Sequence, residues 1–171
     1  MDTHRYPGGL CAVVGMDIST SYSYGVKTHK RRSIMNLEQV LMQQPDNLTP
    51  EEAEEEYITH HFAPHVYGRE MLIPKGMCIV GKIHKHAHMN ILAKGRVKVV
   101  TEFGDDFIEA PHMWTSKPGT KRALVALEDL VWITIHHDPN GDKDTDALER
   151  YIIADSFDAF DAHMRALEHL P

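Results

Sequence analysis

Between Tyr67 and His137 apolar and polar residues alternate with a period close to two, broken at short intervals by turn residues. Glu70-Met71-Leu72-Ile73 reads as a short strand and Pro74-Lys75-Gly76 as a turn. Met77 to Ile91 supplies one or two strands. Val97-Lys98-Val99-Val100-Thr101 alternates, Phe103-Gly104-Asp105-Asp106 is a hairpin turn, and Phe107 to Ala110 resumes the pattern. Lys117-Pro118-Gly119-Thr120 is another turn. Ala123 to Leu127 is a strand, Glu128-Asp129 a tight turn, and Leu130 to His136 a strong strand around Trp132. Short strands at this even spacing, with no helix between them, predict an antiparallel sandwich or barrel.

The flanks read differently. Residues 1–35 are rich in Gly, Ser and Tyr and carry a basic knot, Lys27 to Arg32. Their periodicity is poor, and they are expected to form an extended arm or loop, with the knot as a solvated patch. Asn36-Leu37-Glu38-Gln39 is a capping box for a helix reaching Gln44, stopped by Pro45. Thr49-Pro50-Glu51-Glu52 opens a second helix, with acids at the positive end of its dipole, that fades near His60-His61. After Asp138-Pro139-Asn140-Gly141-Asp142 the chain turns helical. Ser156 caps an apolar stripe of Phe157, Phe160, Met164 and Leu167. The expected division is an N-terminal arm with short helices at 1–66, a β-barrel at 67–137 and a helical extension at 138–171.

Composition narrows the function. The chain has 171 residues, enough for one domain with arms. Its net charge of −7 argues against a nucleic-acid backbone as partner. No apolar run reaches membrane-spanning length, and the N-terminus lacks the order of a signal peptide. Two cysteines, Cys11 and Cys78, make no disulfide framework and suggest a reduced, cytoplasmic setting.

The unusual feature is 13 histidines, three of them in Gly81-Lys82-Ile83-His84-Lys85-His86-Ala87-His88-Met89-Asn90. On a strand, His84, His86, His88 and Asn90 would line one face. Imidazole is the commonest metal ligand, so the row suggests a metal site within a β-structure; an exposed strand face or a polar subunit contact is the plainer alternative. Residues i and i+4 of a straight strand lie about 13 Å apart, so His84 and His88 can share an ion only if the strand bends between them. A further ligand must come from another strand. His136 is the best candidate and His112 another. On the last strand, however, Val131, Ile133 and Ile135 form the more apolar set and read as the core side, which would turn His136 outward. His60, His61 and His65 read as solvated loop residues, and Trp114 and Trp132 as core. Glu109 and Glu128 are carboxylates near the barrel with no spacing that marks either as an acid or base.

Three features together resemble the cupin superfamily: Ile73-Pro74-Lys75-Gly76 before a strand, His84-Lys85-His86-Ala87-His88 leading to Gly95 and Val97, and Pro118-Gly119-Thr120-Lys121-Arg122. The first cupin motif has a His-x-His pair, then a glutamate, then a glycine. Counting back from Gly95, His88 falls near the glutamate position, His84 near the second histidine and Lys82 near the first. Arg122 takes the histidine position of the second motif, and arginine cannot be a ligand. The flanking segments, with His136-His137, are also similar to small cupin-domain proteins of tailed bacteriophages.

The resemblance implies a mainly β, cupin-like double-stranded β-helix (jelly-roll) barrel and a homodimer. The standard three-His-one-Glu site of that family is not intact here, but the histidine row leads us to expect a divalent ion (Fe, Mn, Ni or Zn) on two or three of His84, His86 and His88, with His136 as the ligand from another strand. Arg122 would hold a small polar or anionic molecule at the barrel mouth, or else pair with Glu128 or Asp129 on the surface. The rival expectations are a non-catalytic phage accessory or virion protein built on the same barrel, in the host cytoplasm or virion, and a metabolite-binding sensor.

Overall fold

The computed structural model describes residues 24–141 and 143–169. Nine of the eleven strands among the described residues form two antiparallel sheets. The larger has five strands in the order β1 (Ile58–Ala63), β2 (Val66–Ile73), β10 (Leu130–His137), β5 (His88–Lys94) and β8 (His112–Ser116). The smaller has four, β3 (Cys78–Val80), β9 (Arg122–Ala126), β6 (Arg96–Thr101) and β7 (Gly104–Glu109). Every pairing is antiparallel, and the sheets face each other without closing into one ring. This is the expected cupin-like jelly roll, mainly β with a few helices.

Alternation decides which residues face inward. Leu130, Trp132, Thr134 and His136 of β10 are buried, while Val131, Ile133 and Ile135 are only half-buried. The core between the sheets holds Ile73, Leu92, Val97, Val99, Ile108, Leu124, Ala126, Leu130 and Trp132. At about 2 kcal/mol for each large apolar side chain removed from water, this cluster is the main source of stability. The expectation that Val131, Ile133 and Ile135 mark the core side is therefore overturned. They lie on the outer face of the larger sheet, and His136 points in.

The N-terminal reading also changes. Helix α1 (Tyr24–Met42) runs through both the supposed arm and the supposed cap at Asn36. Ile34 and Leu41, seven residues apart on one helix face, are buried. The basic knot contributes ion pairs rather than a solvated patch. Lys30 reaches Asp105 at 3.2 Å, and Arg31 reaches the fully buried Glu102 side chain at 3.2 Å. From the sheet side, buried Lys121 donates to Glu38 at 2.8 Å. The expectations for residues 1–23, including the rest of the arm and Cys11, lie outside the described residues. No helix among the described residues is long and apolar enough to cross a membrane.

Helix α2 (Pro50–Tyr57) begins as expected. The Thr49 hydroxyl accepts from the Glu52 N–H, and the Glu52 carboxylate accepts from the Thr49 N–H. It ends earlier than expected because β1 starts at Ile58. His60 and His61 are thus strand residues, bonded to Tyr67 at 2.7 Å and to Glu70 at 2.8 Å, rather than solvated loop.

After β10, helix α3 (Thr145–Ile152) buries Leu148 and Ile152 against Tyr67. Strand β11 (Ile153–Ala154) pairs with β4 (Ile83–His84). Helix α4 (Phe157–Glu168), capped by Ser156, buries Phe160 against Ile83. The anticipated stripe stops at Met164, and Leu167 is exposed.

Gly119 is where α4 meets the barrel. Its φ is +76°, and a Cβ there would lie 2.5 Å from the Phe160 ring. Gly119→Ala combines left-handed backbone strain with a clash against a rigid ring. It is expected to cost about 2 kcal/mol in denaturant unfolding, with a melting temperature lower by roughly 5 °C. An unchanged melting temperature would mean that α4 does not pack on this turn.

Candidate metal centre

Three imidazoles converge at one end of the barrel interior. His136 is the penultimate residue of β10, on its inward face, His88 opens β5 and His84 ends β4. The strand does not run straight from His84 to His88. It breaks over Lys85, His86 and Ala87, which folds His84 back over His88. This is the bend that a shared ion requires. Ring centres lie 4.1 Å apart for His84 and His88, 5.1 Å for His84 and His136, and 4.8 Å for His88 and His136. One ligand nitrogen from each lies within 4.8 Å of the others.

These distances fit a metal. With metal–nitrogen bonds of about 2.0–2.1 Å, two nitrogens on a tetrahedral ion stand about 3.3 Å apart. His84 Nδ1 is 3.0 Å from both nitrogens of His88. An atom equidistant from both ring nitrogens lies along neither lone pair, so the contact is not a well-aligned hydrogen bond. His88 Nδ1 also lies 3.3 Å from the His86 carbonyl. Donation there leaves His88 Nε2 as a lone pair, the arrangement usual for a metal-binding histidine.

Electrostatics keep the rings neutral. Burial, then the charge of Arg122, lowers His88 to about 4. Burial, then His88 and Arg69, lowers His136 to about 3. Burial, then His88 and His136, holds His84 well below 6.5. Neutral imidazole is the ligand form.

A polar layer separates these rings from the apolar core. Arg122 Nη1 donates to Asn90 Oδ1 at 2.9 Å, and Nη2 donates to Ser116 Oγ. Asn90 Nδ2 donates to Ser116 Oγ at 2.9 Å, and Trp132 Nε1 donates to Asn90 Oδ1 at 3.3 Å. The guanidinium lies 5.6 Å from the Trp132 ring centre. Burial lowers Arg122 to about 10, partly offset by Glu102, so the group stays charged at neutral pH. Arg122 therefore points inward. The alternative of a surface pair with Glu128 or Asp129 is not what forms, because Glu128 takes Arg96 and Asp129 accepts from the Lys75 N–H.

The remaining candidates fall elsewhere. His86 leaves the row at the bend and stacks on Tyr151, with ring centres 4.5 Å apart. His112 is exposed and lies beside Trp114. Lys82, at a usual ligand position, pairs with Glu149 on the surface. Glu109 is exposed, and among the described residues no carboxylate joins the three imidazoles. Sequence reasoning passed over Ser116, because β8 was not anticipated, and took Asn90 only as a member of the row. A shallow depression of about 330 Å³ meets the rim of the site, lined by Val66, Ala87, Met89, Thr115 and Ile135 beside His88 and His136.

Depressed imidazole values predict a pH dependence. In the unfolded chain these rings protonate near 6.5, and in the folded protein near 4 and 3. Below pH 6.5 the unfolded state binds more protons, so metal-free stability falls as pH drops from about 6.5 toward 4 and is level above about 7.5. At 1.36 kcal/mol per unit, His88 alone accounts for about 3 kcal/mol of that loss. Denaturant unfolding at several pH values reads the slope, and proton NMR of the rings at pH 5.5 is expected to show both neutral. Rings that titrate near 6.5 in the folded protein would contradict this.

No family model and no curated protein sequence matches the chain. Several solved structures are similar to part of it. A cupin 2 conserved barrel domain protein from Salinispora arenicola is 17% identical over 49% of this chain and 76% of its own, with a TM-score of 0.41. KdgF from a Halomonas species is 15% identical over 48% of this chain and 79% of its own, with a TM-score of 0.42. A cupin-2 domain containing protein from Shewanella frigidimarina is 10% identical over 61% of this chain and 92% of its own, with a TM-score of 0.40. The order and antiparallel pairing of the chain's own strands make it a two-sheet jelly roll.

Proposed function

We propose that this is a divalent-metal-binding cupin protein that takes a small anionic molecule beside the ion. The observation that carries the reading is the convergence of His84, His88 and His136, three neutral nitrogen donors with no carboxylate among them. Three nitrogens leave a coordination position open, the pattern of a working rather than a purely structural site. The donor set suits Zn, Fe or Ni better than Mn, which favours oxygen. When bound, such an ion would polarise an oxygen ligand or lower the pKa of a bound water.

Charge supports an anionic ligand. Neutral donors leave the ion's two positive charges uncompensated, and Arg122 adds a third nearby. The contacts of Arg122 with Asn90 and Ser116 use two of its five N–H groups. Glu128 is tied to Arg96 at 2.9 Å and is not placed to move protons here.

The protein acts as a homodimer in this reading. The outer face of the larger sheet is apolar over four strands. Val66, Leu72, Met89 and Met113 are 40%, 49%, 41% and 57% exposed, and Ile91, Val131, Ile133 and Ile135 lie among them. A face of this extent is unusual on a monomer and suits self-pairing about a two-fold axis.

Metal analysis of untagged protein tests the site. Close to one ion per chain is expected, with His88→Ala or His136→Ala weakening it by about a hundredfold or more and His86→Ala leaving that ion in place. Less than about a tenth of an ion per chain under metal-replete conditions would sink the reading. Light scattering tests the dimer: twice the 19.5 kDa chain mass for the natural sequence, and the single-chain mass for Ile133→Asp. A natural chain that stays monomeric at high concentration would refute the pairing.

A further inference from the structure

We propose that His86 and His163 form a second, weaker site for a nitrogen-seeking divalent cation such as Zn(II), Ni(II) or Cu(II), and that the ion there clamps α4 to the bend carrying the histidine triad. Both residues have a buried Nε2 with no hydrogen-bond partner among the described residues. An unpartnered buried imidazole nitrogen costs free energy, and here the two rings that carry one are neighbours. Their ring centres are 5.6 Å apart with the planes at 84°. Two imidazoles bound to one tetrahedral ion stand with ring centres roughly 5 Å apart, close to the separation here.

Among the described residues His86 Nε2 is buried without a hydrogen-bond partner, so it is the ring atom free to ligate. The Tyr151 ring, 4.5 Å away and nearly parallel, covers one face of His86 and holds its rotation. His163 comes from α4, where Phe160 and Met164 anchor the helix on the Ile83 cluster. With two nitrogens and no thiolate or carboxylate, the site favours Cu(II), Ni(II) and Zn(II) over oxygen-seeking Mg(II) or Ca(II). Water fills the other positions, which makes this the weaker of the two sites. None of its ligand atoms belongs to the triad, so it stands apart from the reading above.

The test is equilibrium dialysis of untagged, metal-free protein against Zn(II), with bound metal measured by elemental analysis. Two ions per chain are expected, bound in separate steps. His163→Gln and, independently, His86→Gln should each lose the weaker step and keep the tighter one. His88→Gln should do the reverse, and His61→Gln, at an exposed histidine, should keep both. Hydrogen exchange adds a readout that stray surface binding would not move. Amides of α4 should slow at least about threefold on filling the weaker step in the natural protein and not in His163→Gln. If only the triad reading fails, one step remains, sensitive to His163 and not to His88. Retention of both steps in His163→Gln, a single step sensitive only to His88, or α4 exchange indifferent to the second ion would overturn the proposal.

Discussion

Everything at the site depends on the break in the chain between β4 and β5. A straight strand would set His84 and His88 about 13 Å apart, too far for one ion. The bend is held from outside the barrel. The Lys85 N–H donates to the Ile152 carbonyl at 2.7 Å, and Lys85 Nζ donates to the Arg150 carbonyl at 2.7 Å. Strand β11 pairs with β4, and the Gly119 N–H donates to the His84 carbonyl at 2.8 Å. The C-terminal extension is therefore part of the site's framework although it contributes no ligand to the triad. Its apolar anchors, Leu148, Ile152 and Phe160, set where His84 sits.

The fold was legible because strands announce themselves through turns. Pro74-Lys75-Gly76, Lys117 to Thr120 and Glu128-Asp129 all punctuate the chain where they should, and period-two alternation did the rest. Which face pointed inward was less legible. On β10 the apolar side is outer and the polar side, Thr134 and His136, is inner over half its length. Hydrophobicity assigns faces only when one face is wet, and a sheet with an apolar outer surface defeats it. Helix α1 was hidden for a related reason. Its tie to the sheets runs through Arg31–Glu102 and Lys121–Glu38, charges that composition assigns to solvent.

The metal centre was half legible. The row of histidines and His136 were visible as residue types, but the bend was set by contacts with residues some 65 positions later, which no local pattern encodes. Strand geometry did state the condition correctly, that only a distorted strand could bring His84 and His88 together. It could not say that the distortion would expel His86. The cost of that expulsion is visible in the structure, since His86 Nε2 finds no partner where it lands.

Arg122 and the histidines constrain one another. A buried guanidinium lowers each imidazole's readiness to take a proton, and the rings in turn offer it no counter-charge. Asn90 and Ser116 resolve this by accepting from the guanidinium with neutral oxygens, which solvates it without cancelling it. A carboxylate at either place would neutralise Arg122 and remove the field that an anion is drawn to. Lys82 and Arg122 therefore do different things. Lys82 pairs with Glu149 on the surface, whereas Arg122 sets a fixed positive charge beside the imidazoles. In the proposed reading a fixed positive charge beside three neutral donors draws an anion, so the open position and the charge belong to one arrangement.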